Sequence, residues 1–171
     1  MMFLRFSASL VNPGCDLESS RKAVAYAAEY PHVYAAVGIH PENCGGFTPA
    51  DMDALRQLAQ QPKVVAIGEI GLDYYWAENP PRERKQVLFR EQVLLAKELG
   101  LPVIFHDRDA HGDSLAIVKE FPDVTGVFHC FSGSPEMAQE LLAVAMLRCF
   151  LWIKSISILQ AISMLLLKPT I

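Results

Sequence analysis

The segment Val64-Val65-Ala66-Ile67-Gly68-Glu69-Ile70-Gly71-Leu72-Asp73-Tyr74 restricts the fold more than any other part of the chain. It opens as a run of β-branched and small apolar residues without polar alternation, the pattern of a strand buried on both faces. The run then delivers a carboxylate, Glu69, between Gly68 and Gly71, where glycine lets the backbone turn sharply or approach a ligand closely. A carboxylate at the end of a buried strand is costly unless something pairs with it. A metal ion is one such partner, and backbone amides of a neighbouring loop are the other.

The rest of the chain supplies neighbours for that strand. A short apolar strand over 9–11 leads into Asn12-Pro13-Gly14, and Asp16 caps a helix over 17–30 that Pro31 stops. A strand over 33–39 ends in Gly38-Ile39-His40-Pro41. Thr48 caps a helix to about residue 60, with Pro49 at its first position and Asp51 in its first turn. After 64–69 comes an aromatic loop (Tyr74, Tyr75, Trp76) closed by Pro80-Pro81. A long amphipathic helix over 82–99 follows, with Gly100 as its left-handed cap. The strand 102–106 ends in His106, a helix runs over 113–121, and the strand 124–128 ends at His129. Ser134 caps the next helix, with Pro135 and Glu136 in its first turn. Five strand–helix alternations read as repeated βα units on a parallel sheet, an α/β fold in one domain over 1–171.

Four of these strands finish in an ionisable residue: His40, Glu69, His106 and His129. Parallel strands place all their C-terminal ends on one edge of the sheet, so the four side chains are expected to converge. Imidazole with carboxylate suits Zn, Mn or a similar divalent ion with positions left open for water. Arg108, just past His106, either holds a phosphate with its planar fork or pairs with Asp107 or Asp109. Asp73 either orients a ligand from behind or caps a loop. His111 and His32 read as surface residues.

Charge narrows the partners. The formal net charge of -4 over 171 residues argues against a broad basic surface for gripping nucleic acid, while leaving room for local phosphate binding. The four cysteines form no C-x-x-C pair, so neither a zinc ribbon nor a redox motif is suggested. No signal peptide is evident, so reduced thiols and a cytoplasmic location are expected.

Val37-Gly38-Ile39-His40-Pro41, Gly68-Glu69-Ile70-Gly71-Leu72-Asp73, Pro102-Val103-Ile104-Phe105-His106 with Arg108-Asp109-Ala110, and His129-Cys130-Phe131-Ser132-Gly133 follow one another in an order and spacing that resembles the TatD family of metal-dependent deoxyribonucleases. The resemblance covers about residues 10–142. It implies a TIM-type (β/α)8 barrel whose divalent metal ions (Mg, Mn or Zn) cut phosphodiester bonds in DNA. By the same resemblance Glu69, His106 and His129 are metal ligands, His40 and Arg108 bind the substrate phosphate, and Glu69 and His40 are catalytic.

The sequence also departs from the family. The expected His-x-His pair of the first strand is absent from residues 1–10, and no acidic residue follows Glu140, where the family has a metal-binding Asp. A full barrel takes about 250 residues. The expectation is therefore an incomplete barrel that holds one ion weakly, with an atypical apolar tail over 143–171 that comes from a shifted reading frame or a different exon. The longest uncharged run of the tail is too short to span a bilayer, so no membrane partner is expected. The open sheet edges are expected to favour self-association. Two other readings are an inactive remnant that binds at most one ion, and a metal-dependent amidohydrolase or lactonase acting on a carbonyl.

Overall fold

The computed structural model describes residues 9–76 and 78–143. Five strands, β1 (Leu10–Pro13), β2 (Val33–Val37), β3 (Val64–Asp73), β4 (Val103–Arg108) and β5 (Gly126–Phe128), form one sheet in the order β1-β2-β3-β4-β5, every pair parallel. Between and after them run α1 (Leu17–Glu29), α2 (Pro49–Ala59), α3 (Arg82–Leu99), α4 (His111–Lys119) and α5 (Pro135–Ala143), with a 3-10 helix at Pro41–Gly46. Strand order equal to chain order, with a crossover helix at each step, is the winding of a (β/α)8 barrel, of which this is a half. The tail expected over 143–171 lies outside the described residues except for Ala143.

Local chemistry accounts for the helices. Asp16 Oδ1 accepts from the Ser19 amide at 2.7 Å while Ser19 Oγ accepts from the Asp16 amide at 3.0 Å, a reciprocal cap for α1. Asp51 Oδ2 accepts from the Thr48 amide at 2.7 Å at the start of α2. α3 stops at Gly100, whose φ of 66° is left-handed.

One layer of the core lies between the sheet and these helices. Phe105 of β4 stacks on Phe128 of β5 with centroids 4.8 Å apart and meets Phe89 of α3 edge-on at 5.9 Å. Burying a side chain of this size is worth about 1.5–3 kcal/mol. The opposite face of the sheet, which a closed barrel would enclose, is only partly covered. Val11, Val65, Ile104 and Val127 line an apolar hollow of about 330 Å³ there.

Several element ends differ from the sequence expectation. β2 stops at Val37 rather than residue 39, β5 starts at Gly126 rather than 124, and α4 starts at His111 rather than 113. β3 and β4 do not finish at Glu69 and His106 but continue to Asp73 and Arg108. The physical reason for β3 is a bulge. Ile67 pairs with Val103 and Ile70 with Phe105, so β3 carries one extra residue and the ladder slips between them.

Candidate functional site

That bulge sets the position of Glu69. Its amide leaves the ladder to β4 and donates to the Gly14 carbonyl at 3.1 Å, beyond the end of β1. Pairing resumes with Ile70 opposite Phe105 and puts Gly71 opposite His106. A Cβ on Gly71 would sit 2.0 Å from the His106 carbonyl oxygen, and its φ is 144°. Glycine alone allows that approach, which brings the His106 and Glu69 side chains together.

The cluster is compact. His106 Nδ1 lies 2.9 Å from Glu69 Oε1, and His106 Nε2 lies 3.0 Å from Asp73 Oδ2. His40, three residues past β2, packs its ring edge-on against His106 with centroids 4.2 Å apart. One donor atom from each of His40, Glu69 and His106 lies within 4.8 Å of the others. Behind them, Asp73 is buried, its Oδ1 accepts from the Tyr75 amide at 3.0 Å, and its carbonyl accepts from the buried Lys85 Nζ at 2.5 Å. Asp73 therefore orients the imidazole and caps its own loop at once.

Protonation follows from this geometry. Burial works against charge on His106, but the hydrogen bonds to Glu69 and Asp73 outweigh it and leave its pKa raised. Burial alone would raise Glu69; the bond from His106, with the fields of His106, His129 and His40, reverses this and leaves it lowered. His40 is lowered, first by burial and then by the neighbouring His106. Its Nδ1 accepts from the Glu42 amide at 3.3 Å, which leaves the proton of the neutral ring on Nε2.

The donor set fits a divalent cation. An imidazole nitrogen and a carboxylate oxygen 2.9 Å apart match adjacent ligands about 2.1 Å from one ion. The cation would take the place of the proton between them, while Asp73 keeps the outer ring nitrogen protonated.

The cluster opens into a cavity of about 570 Å³ that Tyr75, Arg108, His129 and Cys130 also line. His129 thus shares the cavity but stands outside the three-residue group, with its Nε2 3.2 Å from Cys130 Sγ. Arg108 pairs with neither Asp107 nor Asp109 among the described residues. Its guanidinium lies 3.7 Å over the Tyr75 ring and 5.6 Å from that of Trp76. Asp107 is engaged elsewhere, with His111 Nδ1 at 2.5 Å and Ser114 Oγ at 3.0 Å, and so anchors the first turn of α4. His111 thus keeps the surface position expected of it and gains a partner in Asp107 that the sequence did not indicate.

A second residue that sequence reasoning missed is Gln92 of α3. Its side chain clasps both backbone groups of Ile39, accepting from the amide at 2.8 Å and donating to the carbonyl at 3.0 Å, next to His40. The available signal was a polar residue four positions from Leu88 and from Ala96 on a buried helix face.

A family model described as TatD related DNase matches residues 7–159, past the point at which the recognisable motifs end. The chain belongs to that family. It is 43% identical over 135 residues to the uncharacterized metal-dependent hydrolase YabD of Bacillus subtilis, covering 78% of this chain and 52% of that one. It is 38% identical over 128 residues to the 3'-5' ssDNA/RNA exonuclease TatD of Salmonella typhimurium, covering 74% and 49%. Among solved structures, the TatD homolog YjjV of Escherichia coli K12 superposes with a TM-score of 0.75 at 35% identity, covering 81% of this chain and 54% of the other. This TatD chain thus spans about half the length of the curated relatives it matches. No helix among the described residues is long and apolar enough to cross a membrane.

Proposed function

We propose that this chain is a single half-barrel domain that hydrolyses phosphodiester bonds at the ends of single-stranded nucleic acid, as a metal-dependent deoxyribonuclease of TatD type working in the cytoplasm. The observation that carries the reading is Arg108. It stands in the cavity of the Glu69–His106–His40 cluster with no carboxylate partner among the described residues, so its fork is free for a phosphate. A neutral amide or lactone lacks the paired anionic oxygens that match the planar guanidinium fork, which favours the phosphodiester reading over the amidohydrolase alternative.

Glu69 and His106 would hold the ion, with His129 reaching the same cavity as a further ligand. A divalent ion brings Lewis-acid polarisation of a phosphate oxygen and a water that deprotonates near neutral pH. His40, kept neutral by burial, offers its Nε2–H to a phosphate oxygen. Arg108 binds the same group, and Asp73 fixes the His106 ring. With only these ligands, one weakly held ion per chain is expected.

The test is hydrolysis of an end-labelled single-stranded oligonucleotide by the purified 171-residue chain with Mn²⁺ or Mg²⁺, alongside elemental analysis after dialysis. Glu69→Gln should abolish cleavage. Cleavage that persists in Glu69→Gln, or two equivalents of metal retained, would contradict the assignment.

A further inference from the structure

The aromatic loop after β3 has no task in the chemistry above. Tyr75 and Trp76 are 51% and 44% exposed and sit edge to face with centroids 4.6 Å apart. Tyr75 forms a wall of the cavity that holds Glu69 and His106. It is also a wall of a second hollow of about 300 Å³, lined further by Tyr74, Trp76, Pro80 and Arg82. The two hollows therefore meet at one ring, and the Arg108 guanidinium carbon lies 3.7 Å from the centre of that ring. Resting on the proposed phosphodiester activity, we infer that Tyr75 and Trp76 form a stacking subsite for the nucleobase next to the phosphate held by Arg108.

Four features of the chemistry agree. A phosphate and the base of its own nucleotide lie within a few ångströms of each other, as do the guanidinium and the two rings. Every base has an aromatic face, so stacking holds a strand of any sequence without base-edge hydrogen bonds. Tyr74 adds a third ring to the second hollow, and the Arg82 guanidinium over it at 4.3 Å supplies a cation on the outer side, where a following phosphate would run. With a net charge of -4 the chain gains little general electrostatic affinity for nucleic acid, so local stacking supplies affinity that net charge does not.

The experiment uses Trp76 as its own probe. The chain has two tryptophans, so the full-length Trp152→Phe variant reports Trp76 fluorescence alone. It is titrated, with Mg²⁺ present, with a short oligothymidylate carrying phosphorothioate linkages that resist cleavage, and with an abasic oligomer of the same linkages. Saturable quenching by the thymidylate, with affinity about 5- to 150-fold above that of the abasic oligomer, is expected. Binding of unlabelled Trp76→Ala and Trp76→Phe to dye-labelled oligomers completes the series. Alanine should lower thymidylate affinity by a similar factor and leave the abasic oligomer unchanged, and phenylalanine should restore most of the loss. Equal binding of both oligomers, unmoved by Trp76→Ala, overturns the stacking subsite and leaves the phosphodiester reading standing. Failure of both oligomers to bind overturns both.

Discussion

Gln92→Met tests how the half-barrel holds His40 in place. Gln92 and Ile39 are 1% and 3% exposed, so no water stands ready to replace the two hydrogen bonds of 2.8 and 3.0 Å between them. Methionine keeps the length and nearly the volume of glutamine, so packing changes little and the loss is one of polar partners. A buried amide and a buried carbonyl are then left alone, each at about 1–3 kcal/mol, or roughly 2–6 kcal/mol together. That is a large fraction of the about 5–15 kcal/mol by which domains are stable. For a chain of this size it lowers the midpoint by roughly 4–24 °C. Urea and thermal unfolding followed by circular dichroism measure it, with the exposed Gln57→Met as a control expected within about 0.5 kcal/mol of wild type. Because Ile39 adjoins His40, the His40 ring resonances should also broaden or shift. A Gln92→Met chain as stable as the control would show that the Ile39 backbone does not depend on this clasp.

Gly71→Ala should prevent folding or cost more than about 3 kcal/mol, because a Cβ there meets the His106 carbonyl at 2.0 Å, whereas Gly112→Ala, in α4 with nothing within 4 Å, should stabilise by about 0.4–1 kcal/mol; a melt of each variant decides. The Asp16 carboxyl is held below its ordinary value, first by the Ser19 hydroxyl and then by the Ser19 amide. Its folded pKa thus lies below the unfolded value, so its contribution is full above about pH 4 and fades as pH falls through the folded pKa; the gap of about 0.5–2 kcal/mol between wild type and Asp16→Ala at pH 7 should narrow in acid. Asp73→Asn presents an amide N–H to His106 Nε2, moves the ring proton to the nitrogen facing Glu69, and should weaken Mn²⁺ binding about 10- to 100-fold by calorimetry. The β1 edge exposes Leu10 and Val11 at 50% and 43%, so light scattering should find self-association, and a stable monomer with one cooperative transition would contradict this.

Much of the architecture was legible because it is written in local signals. Asp16, Thr48 with Pro49, and Gly100 mark helix ends through chemistry confined to a few neighbouring residues, and the apolar run from Val64 marks a strand suited to cover on both faces, although Val65 is only half-buried here. From these follow the alternation and hence the parallel order, which alone gathers His40, Glu69, His106 and His129 at one end of the sheet. The sequence could not show how the four divide. The slipped ladder between Ile67 and Ile70 turns Glu69 toward His106, and Gly71 lets the two strands close on each other. Arg108 faced two acidic neighbours in the chain and pairs with neither, because Asp107 turns to His111 and Ser114 while Tyr75 offers its face. Gln92 reaches Ile39 across 53 positions. A cap is decided by residues already adjacent on the chain, but a clasp, a stack or a bulge depends on which distant groups the packing brings within hydrogen-bonding distance, and only the tertiary structure sets that.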